Sequence, residues 1–481
     1  MSTTPHPSHT RHAPDAPRSI RPLLDDGPIH FAGVGGAGMC ALAEAVVRSG
    51  GRVTGCDLNP GAGVRALERL GVRIQRGHDP SHVDGVTAVI ASAALPADHP
   101  ELQAARERGL PVLKRAEALG GWVNVGTLAA VAGTHGKTTT TAMLTSVLVA
   151  AGRNPTGFVG GEVPAWRSHL RPGSDELFVV EADEYDRSFL HLRPSVTVVT
   201  NLEADHLDIY GDLDGVRQGF RSYLDGVRAE GTIWVCADDP GASALLPYAG
   251  ARGRSYGFSA GSQLRGIDPV IEGVRSRVRV IEEGRDRGDL ELRVAGRHNL
   301  LNALGAAGAA RSLGVEWEAI RSGLLEFGGV RRRFQLLGEI GGVRVIDDYA
   351  HHPTEVEAAL AAARAAHPGA RLVAVFQPHL FSRTRDFHRE FASAFRASDV
   401  LWVTGIYPAR EAPIEGIDAA LVADSAREAG VGDVRHHEAL DDLPEAVAAD
   451  LRAGDLCLTL GAGSIERVGP RIVALLGGDD A

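Results

Sequence analysis

Lys137 is one of only two lysines among 481 residues; the other 48 of the 50 basic residues are arginine. It stands in Gly133-Thr134-His135-Gly136-Lys137-Thr138, between an apolar run at 128–132 and a helical run at 139–151. In such a loop the backbone N–H groups form an anion nest. The ammonium reaches the terminal phosphates of a nucleotide, and the threonine hydroxyl can hold Mg²⁺. A compact ammonium on a flexible stem enters that nest where a planar guanidinium fits badly. The longer G-x-x-x-x-G-K-[ST] pattern is not met, because position 131 is Val, so this loop is a shorter variant.

Two acidic clusters follow at the ends of apolar runs. Glu181-Ala182-Asp183-Glu184 closes the run at 177–181, and Asn201-Leu202-Glu203-Ala204-Asp205-His206-Leu207-Asp208 follows the run at 196–200. Carboxylates at strand ends beside a phosphate loop are where metal ligands sit, and His206 can join them. A second glycine cluster lies upstream: Gly33, Gly35 and Gly38 fit G-x-G-x-x-G, with Asp57 19 residues beyond. This is the dinucleotide fingerprint, whose physics is a pyrophosphate at a helix N-terminus. It specifies a pyrophosphate and no particular base; alone it also fits a tight structural turn. Asn299 and Asn302, three apart on a helical run, can turn both amides to one pocket.

These groups need scaffolds. Strand candidates at 29–34, 52–57 and 86–92 alternate with helical runs at 63–70 and 100–108, the look of a parallel sheet with crossover helices. That unit spans 28–126. A second, 127–327, carries the Lys137 loop, and alternation at 260–295 predicts antiparallel strands. A third, 328–481, opens with a strand at 343–346 leading into Asp347-Asp348-Tyr349-Ala350-His351-His352-Pro353, where Pro353 with Glu355 and Glu357 marks a helix start. Further buried strands are expected at 372–376 and 456–460. The fold class expected is α/β in three domains. The first is Rossmann-like, the central one a P-loop ATPase type, and the C-terminal one again Rossmann-like. Residues 1–27, rich in Pro, His, Ser, Thr and Arg, read as a disordered tail; His6, His9 and His12 within it read as solvated rather than metal-binding.

Composition narrows the class. Acids outnumber bases 61 to 50, for a net charge of −11, which disfavours a nucleic-acid binder. No run approaches 18 apolar residues, so no membrane partner is expected. The four cysteines, Cys40, Cys56, Cys236 and Cys457, are far apart without a C-x-x-C, which speaks against a zinc cage and a disulfide framework. A reduced, cytoplasmic compartment fits.

Taken together, Gly133–Thr138, Glu181–Glu184 and Asp205-His206 resemble the Mur ligases, ATP-dependent amide-forming enzymes of cell-wall precursor synthesis. The resemblance runs from about residue 28 to 470. Within the family, Gly33–Met39, Arg297-His298-Asn299, Arg332-Arg333-Phe334, 347–353, Phe376-Gln377-Pro378-His379 and 407–413 point to the member that adds L-alanine to UDP-N-acetylmuramate. A sister ligase that attaches a recycled tripeptide is the alternative. A NAD-dependent oxidoreductase would leave the Lys137 loop and the Asp-His cluster unexplained.

The resemblance implies ATP and Mg²⁺ as cofactors, UDP-N-acetylmuramate and L-alanine as small-molecule partners, and a monomer or weak homodimer. It assigns Gly33, Gly35, Gly36, Ala37, Gly38, Met39, Asp57 and Ser92 to the UDP-sugar. It assigns Gly133, Thr134, His135, Gly136, Lys137, Thr138, Thr139, Asn299, Arg333 and Asp348 to ATP. Metal falls to Thr138, Glu181 and His206, and the amino acid to Asn302, Tyr349, His351, His379 and Arg383. Lys137, Glu181, His206, Arg333 and His351 are the catalytic candidates, His351 as acceptor of the amine proton or as its orienter. Groups from two domains around ATP predict closure when substrates bind. Two departures stand out. Position 380 is Leu where many relatives place Arg, leaving the alanine carboxylate to Arg383. No lysine follows Lys137, so the carbamylated lysine of some relatives is impossible here; that neighbourhood holds Arg221.

Overall fold

The computed structural model describes residues 19–478 apart from 59, 60 and 410. His6, His9, His12 and Arg410 therefore lie outside the described residues. Among the described residues, three sheets follow one another along the chain. The first is parallel, in the order Arg73–Arg76, Val53–Asp57, Ile29–Ala32, Ala88–Ala91, Val112–Lys114. Its two middle strands, Ile29–Ala32 and Ala88–Ala91, are buried throughout, as strands covered on both faces must be. The chain order reverses between them, so the loops after both strands open into the crevice at the switch point. Those loops carry Gly33–Gly36 and Ser92.

The second sheet has ten strands. Thr127–Ala132 lies between Leu177–Glu181 and Val196–Val199, all parallel, so the two acidic clusters and the Lys137 loop emerge at one sheet edge. The expected antiparallel stretch forms three strands, Leu264–Glu272, Arg275–Glu282 and Arg285–Leu292. The third sheet has six strands and places Val343–Asp348 beside Asp455–Leu460. Phe327 and Val330 still pack in the central core, so the third unit's own packing begins slightly later than residue 328.

The tail prediction needs correction for residues 19–27. Ile20 is fully buried, the Ser19 hydroxyl donates to the Gly121 carbonyl at 3.0 Å, and Arg21 pairs with Asp175 at 2.9 Å while lying 4.1 Å over the Trp122 ring. One isoleucine and one stacked arginine anchor this segment without any apolar run that the sequence would advertise.

The two domain junctions differ in kind. The first and central units share a continuous apolar core in which Leu119 and Trp122 pack with Phe189 and Leu192. The central and third units meet through polar pairs: Thr354 donates to Glu203 at 2.6 Å, Arg383 pairs with Asp205, and His135 Nδ1 lies 3.2 Å from Glu355.

Candidate active site

The Lys137 loop is shaped by two glycines and one asparagine. Gly133 has φ 138° and Gly136 φ 79°, conformations that side chains oppose. A Cβ on Gly133 would collide with the Thr200 hydroxyl, and one on Gly136 would meet Asn302 Oδ1 at 2.6 Å. Asn201 clamps the loop, its carbonyl accepting from Thr134 N–H at 3.2 Å and its Oδ1 from His135 N–H at 2.7 Å. The helix Lys137–Ala150 then starts with its first N–H groups lacking intrahelical acceptors, as at any helix start.

Lys137 is half-buried, its side chain 13% exposed, and donates to the carbonyls of Gly133 (2.7 Å) and Thr134 (3.0 Å) and to Glu184 Oε1 (2.8 Å). Burial works against its charge, but Glu184, Glu181 and Asp183 outweigh it and raise its pKa. Burial likewise pushes Glu184 up to about 7, with Lys137 holding it down in part. Glu181 is fixed differently: Thr138 donates to Oε1 at 3.0 Å and Gly160 N–H to Oε2 at 2.6 Å. The Thr138 hydroxyl and the Glu181 carboxylate are thus adjacent hard oxygen donors, the set that Mg²⁺ takes. His206, in the left-handed region at φ 53°, brings Nε2 to 3.9 Å from Glu184 Oε1. Its pKa is lowered, by burial first and by Lys137 and Arg383, with Asp205 opposing, which favours the neutral ring that a metal would need.

One cavity of about 440 Å³ is walled by all three domains. Gly36, Ala37, Gly38, Met39 and Ser92 come from the first, Gly136–Thr138, Glu181 and His206 from the second, and Arg333, Tyr349 and His351 from the third. Gly33, Gly35 and Asp57 do not line it; they hold the loop. Gly35 N–H donates to Asp57 Oδ2 at 2.7 Å, and a Cβ there would strike that carboxylate. A smaller adjoining cavity, about 120 Å³, is lined by Thr139, Asn299, Asn302, Arg333 and Asp348.

Three predicted placements change. Asn302 was expected beside the amino acid; it lies with Asn299 in the smaller cavity, its Nδ2 donating to Asn299 Oδ1 at 3.3 Å, because spacing of three keeps both on one helix face. Arg383 was expected to be open to a carboxylate; it is buried behind the wall, paired with Asp205 and 3.1 Å from His379 Nδ1. Burial favours the neutral form of Asp205, yet the charge and hydrogen bond of Arg383 hold its pKa far below the usual range. Asp348 lines the smaller cavity, but both its oxygens accept backbone N–H groups, Phe334 at 2.7 Å and Ala350 at 2.8 Å. Burial raises it to about 6 against the pull of Arg333. It shapes the turn that carries Arg333.

His351 Nδ1 donates to the Tyr349 carbonyl at 2.9 Å, which leaves Nε2 as the acceptor nitrogen. Burial lowers it to about 4, so it is neutral near pH 7. His379, its ring 5.5 Å away, is lowered to about 3 by burial and by the His351 and Arg383 charges.

Sequence reasoning passed over Glu184, which holds Lys137, and Glu355, which joins three predicted residues. Glu355 Oε1 is 3.2 Å from His135 Nδ1 and 3.3 Å from Arg333, and its Oε2 accepts from His351 N–H at 3.1 Å. Its position four residues after His351 was the available signal. Arg115, which lines the large cavity and lies 3.3 Å from Asp183, carried none.

A Rossmann-like domain, a P-loop domain and a third α/β domain converging on one cavity define a multidomain α/β protein with a phosphate loop at its centre. Residues 28–125 match the Mur ligase family catalytic domain, 131–310 the Mur ligase middle domain and 332–463 the Mur ligase glutamate ligase domain. The chain belongs to the Mur ligase family, and it is an ATP-dependent amide-bond-forming enzyme. It is 44% identical over 460 residues to the UDP-N-acetylmuramate–L-alanine ligase of Myxococcus xanthus, covering 96% of this chain and 97% of that one. The enzyme of the same name from Rubrobacter xylanophilus is 45% identical over 452 residues, 93% of this chain and all of that one. The crystal structure of the UDP-N-acetylmuramate-alanine ligase of Thermotoga maritima superposes with a TM-score of 0.81 at 28% identity, over 94% of this chain and all of that one.

Proposed function

We propose that this chain joins L-alanine to the lactyl carboxylate of UDP-N-acetylmuramate, with ATP converted to ADP and phosphate, in peptidoglycan precursor synthesis. The observation that carries this is the single cavity in which the first glycine loop, the Lys137 loop and the Arg333–His351 segment face one another. A carboxylate is a poor electrophile, so it must first be activated. The lactyl oxygen attacks the γ-phosphorus and displaces ADP; the alanine amine then attacks the acyl phosphate carbon, expelling phosphate and giving up one proton to it or to solvent. Positioning and charge neutralisation supply the catalysis.

The first loop holds the UDP diphosphate on the N-terminus of the helix Ala37–Arg48. Lys137 exchanges its contacts with the Gly133 and Thr134 carbonyls for phosphate oxygens, while Glu184 keeps the ammonium in place. Thr138, Glu181 and His206 are the residues that would hold Mg²⁺, which when bound neutralises phosphate charge. Arg333 reaches both cavities and bridges the nucleotide and the acyl phosphate. Asn299, Asn302, Thr139 and Asp348 line the space for the nucleoside. His351 Nε2 orients the amine; with a pKa near 4 it directs a lone pair more readily than it keeps a proton. Arg383 reaches the alanine carboxylate by leaving Asp205, a switch at the polar junction that domain closure would operate.

Phosphate release from ATP in the presence of UDP-N-acetylmuramate, assayed with L-alanine, with tripeptide and with neither, tests this reading. Alanine-dependent release is expected. Release with tripeptide only would move the chain to the sister activity, and no amino-acid-dependent release would overturn the ligase reaction.

A further inference from the structure

Away from the ligase cavity, the first domain gathers a second set of chemical groups. His30 lies on the strand Ile29–Ala32, Cys56 on Val53–Asp57, His78 and His82 around the 3₁₀ turn Pro80–Val83, and Glu101 in the first turn of the helix Pro100–Glu107. Their side chains converge although 71 residues separate the first from the last. His30, Cys56 and Glu101 are fully buried. Glu101 is therefore a buried carboxylate whose described partners are three imidazoles, a thiol and the Asp79 N–H, with no lysine or arginine among them.

The spacing is that of a coordination shell. Tetrahedral zinc with bonds of about 2.0–2.3 Å places neighbouring ligand atoms about 3.3–3.7 Å apart. Cys56 Sγ lies 3.5 Å from His30 Nε2 and 3.1 Å from Glu101 Oε2, and that oxygen lies 3.7 Å from His30 Nε2. His82 offers a nitrogen within 4.8 Å of the ligand atoms of His30, Cys56 and Glu101. His78 Nδ1 is 3.3 Å from Cys56 Sγ and 3.5 Å from Glu101 Oε2. The outer contacts are also those of a metal site. His30 Nδ1 is 2.9 Å from the Thr54 hydroxyl, which leaves Nε2 facing the cluster, and Glu101 Oε1 accepts from Asp79 N–H at 3.0 Å. Beside them His99, also buried, has an Nδ1 with no hydrogen-bond partner among the described residues, and it groups with His78 and Glu101.

We infer that the first domain binds a borderline-soft divalent cation of the zinc class through Cys56, His30 and Glu101, with His82 or His78 as the fourth ligand. Binding displaces the thiol proton of Cys56 to solvent, so one proton leaves as the cation–sulfur bond forms. The donors exclude Mg²⁺, which prefers oxygen, and so separate this site from the one at Thr138 and Glu181. Cys56 immediately precedes Asp57, the residue that pins the glycine loop at Gly35. The cation would tie together two adjacent strands, one leading into that loop and the other carrying Asp57, a staple for the proposed UDP-binding wall.

Cobalt(II) added to the reduced, metal-stripped full chain in excess Mg²⁺ tests this, because only thiolate ligation gives a near-ultraviolet sulfur-to-cobalt charge-transfer band. The expected result is that band at one cobalt per chain, abolished by Zn²⁺, absent in Cys56→Ser and retained in Cys236→Ser. Circular dichroism of the Cys56→Ser chain checks that it is folded; should it not fold, His82→Asn and His78→Asn carry the test. One of these two should lose about tenfold or more in cobalt affinity. No band in the native chain, a band that survives Cys56→Ser, or full affinity in both histidine variants would overturn the site.

Discussion

The two glycine loops share a plan, strand then loop then helix, yet they are furnished differently. Around Gly33–Gly38 stand Asp57, turned inward to fix Gly35 N–H at 2.7 Å, and Arg115, whose guanidinium lies beside Gly38 and pairs with Asp183. Around Gly133–Thr138 stand Lys137, Glu181, Asp183 and Glu184, with Arg333 facing them from another domain. In the proposed reaction the first loop would grip a diphosphate whose charge stays constant. The second would stand where charge moves, which calls for a cation that can shift between partners and for carboxylates that could hold that cation and a metal. Binding and chemistry should therefore separate on mutation.

The largest separation is expected at Lys137. Lys137→Ala should lower kcat by about 10²–10³-fold or more, the usual scale for a preorganised charge at a reacting group, while KM for the UDP-sugar stays within a few-fold. Lys137→Arg should also fall well short of wild type, because the guanidinium misfits the Gly133 and Thr134 carbonyl cradle. Steady-state kinetics decide both, and full activity in the arginine variant would remove the argument from ammonium shape.

Asp57→Ala should give the mirror pattern. Losing one charged acceptor for Gly35 costs about 1–3 kcal/mol of loop order, so KM for the UDP-sugar should rise roughly 5- to 150-fold with kcat little changed. A kcat loss with normal KM would break the comparison between the loops.

A third separation is by pH. Despite burial, which opposes it, His135 is raised to about 9 by Glu355 and Glu203, so it is an imidazolium inside the second loop. Its folded pKa lies above the unfolded value near 6.5, so its stabilising contribution is complete below about pH 6.5 and disappears as pH rises through 9. Thermal melts between pH 7 and 10 should show stability falling in the native chain and a flatter profile in His135→Asn. Parallel slopes would show that the polar junction does not depend on this charge.

What was readable in the sequence follows the same division. Lys137, Thr138 and the glycine loops were legible because their chemistry lies within six consecutive residues. Glu181 was legible because a strand end fixes its position relative to the loop. The grip of Glu184 on Lys137 depends on a 3₁₀ turn, and the pairing of Arg383 with Asp205 joins residues 178 apart, which no local pattern encodes. The fold reads likewise. Buried central strands announced themselves as apolar runs, whereas sheet-edge strands such as Arg73–Arg76 and Asp433–His436 are polar and short and gave no signal. The Cys56 cluster was argued against on cysteine spacing, because two strands, a 3₁₀ turn and a helix start, rather than a C-x-x-C, bring its members together.

The smallest effect should come from the other lysine. Lys114 pairs with Asp186 at 2.8 Å across the junction of the first and central domains, but its side chain is 60% exposed. Water and salt screen such a pair to about 0.2–1 kcal/mol. The junction it spans is held instead by the apolar packing of Leu119 and Trp122 against Phe189 and Leu192. Lys114→Ala should therefore leave kcat and both KM values within about twofold, with a melting shift of a few degrees at most. In a chain that uses arginine at 48 of 50 basic positions, the two lysines then have opposite meanings. At Lys137 the ammonium is required by a buried carbonyl and carboxylate cradle, and at Lys114 arginine should serve as well. Lys114→Arg with wild-type kinetics, beside a crippled Lys137→Arg, would establish that residue type was constrained by the cradle and not by composition.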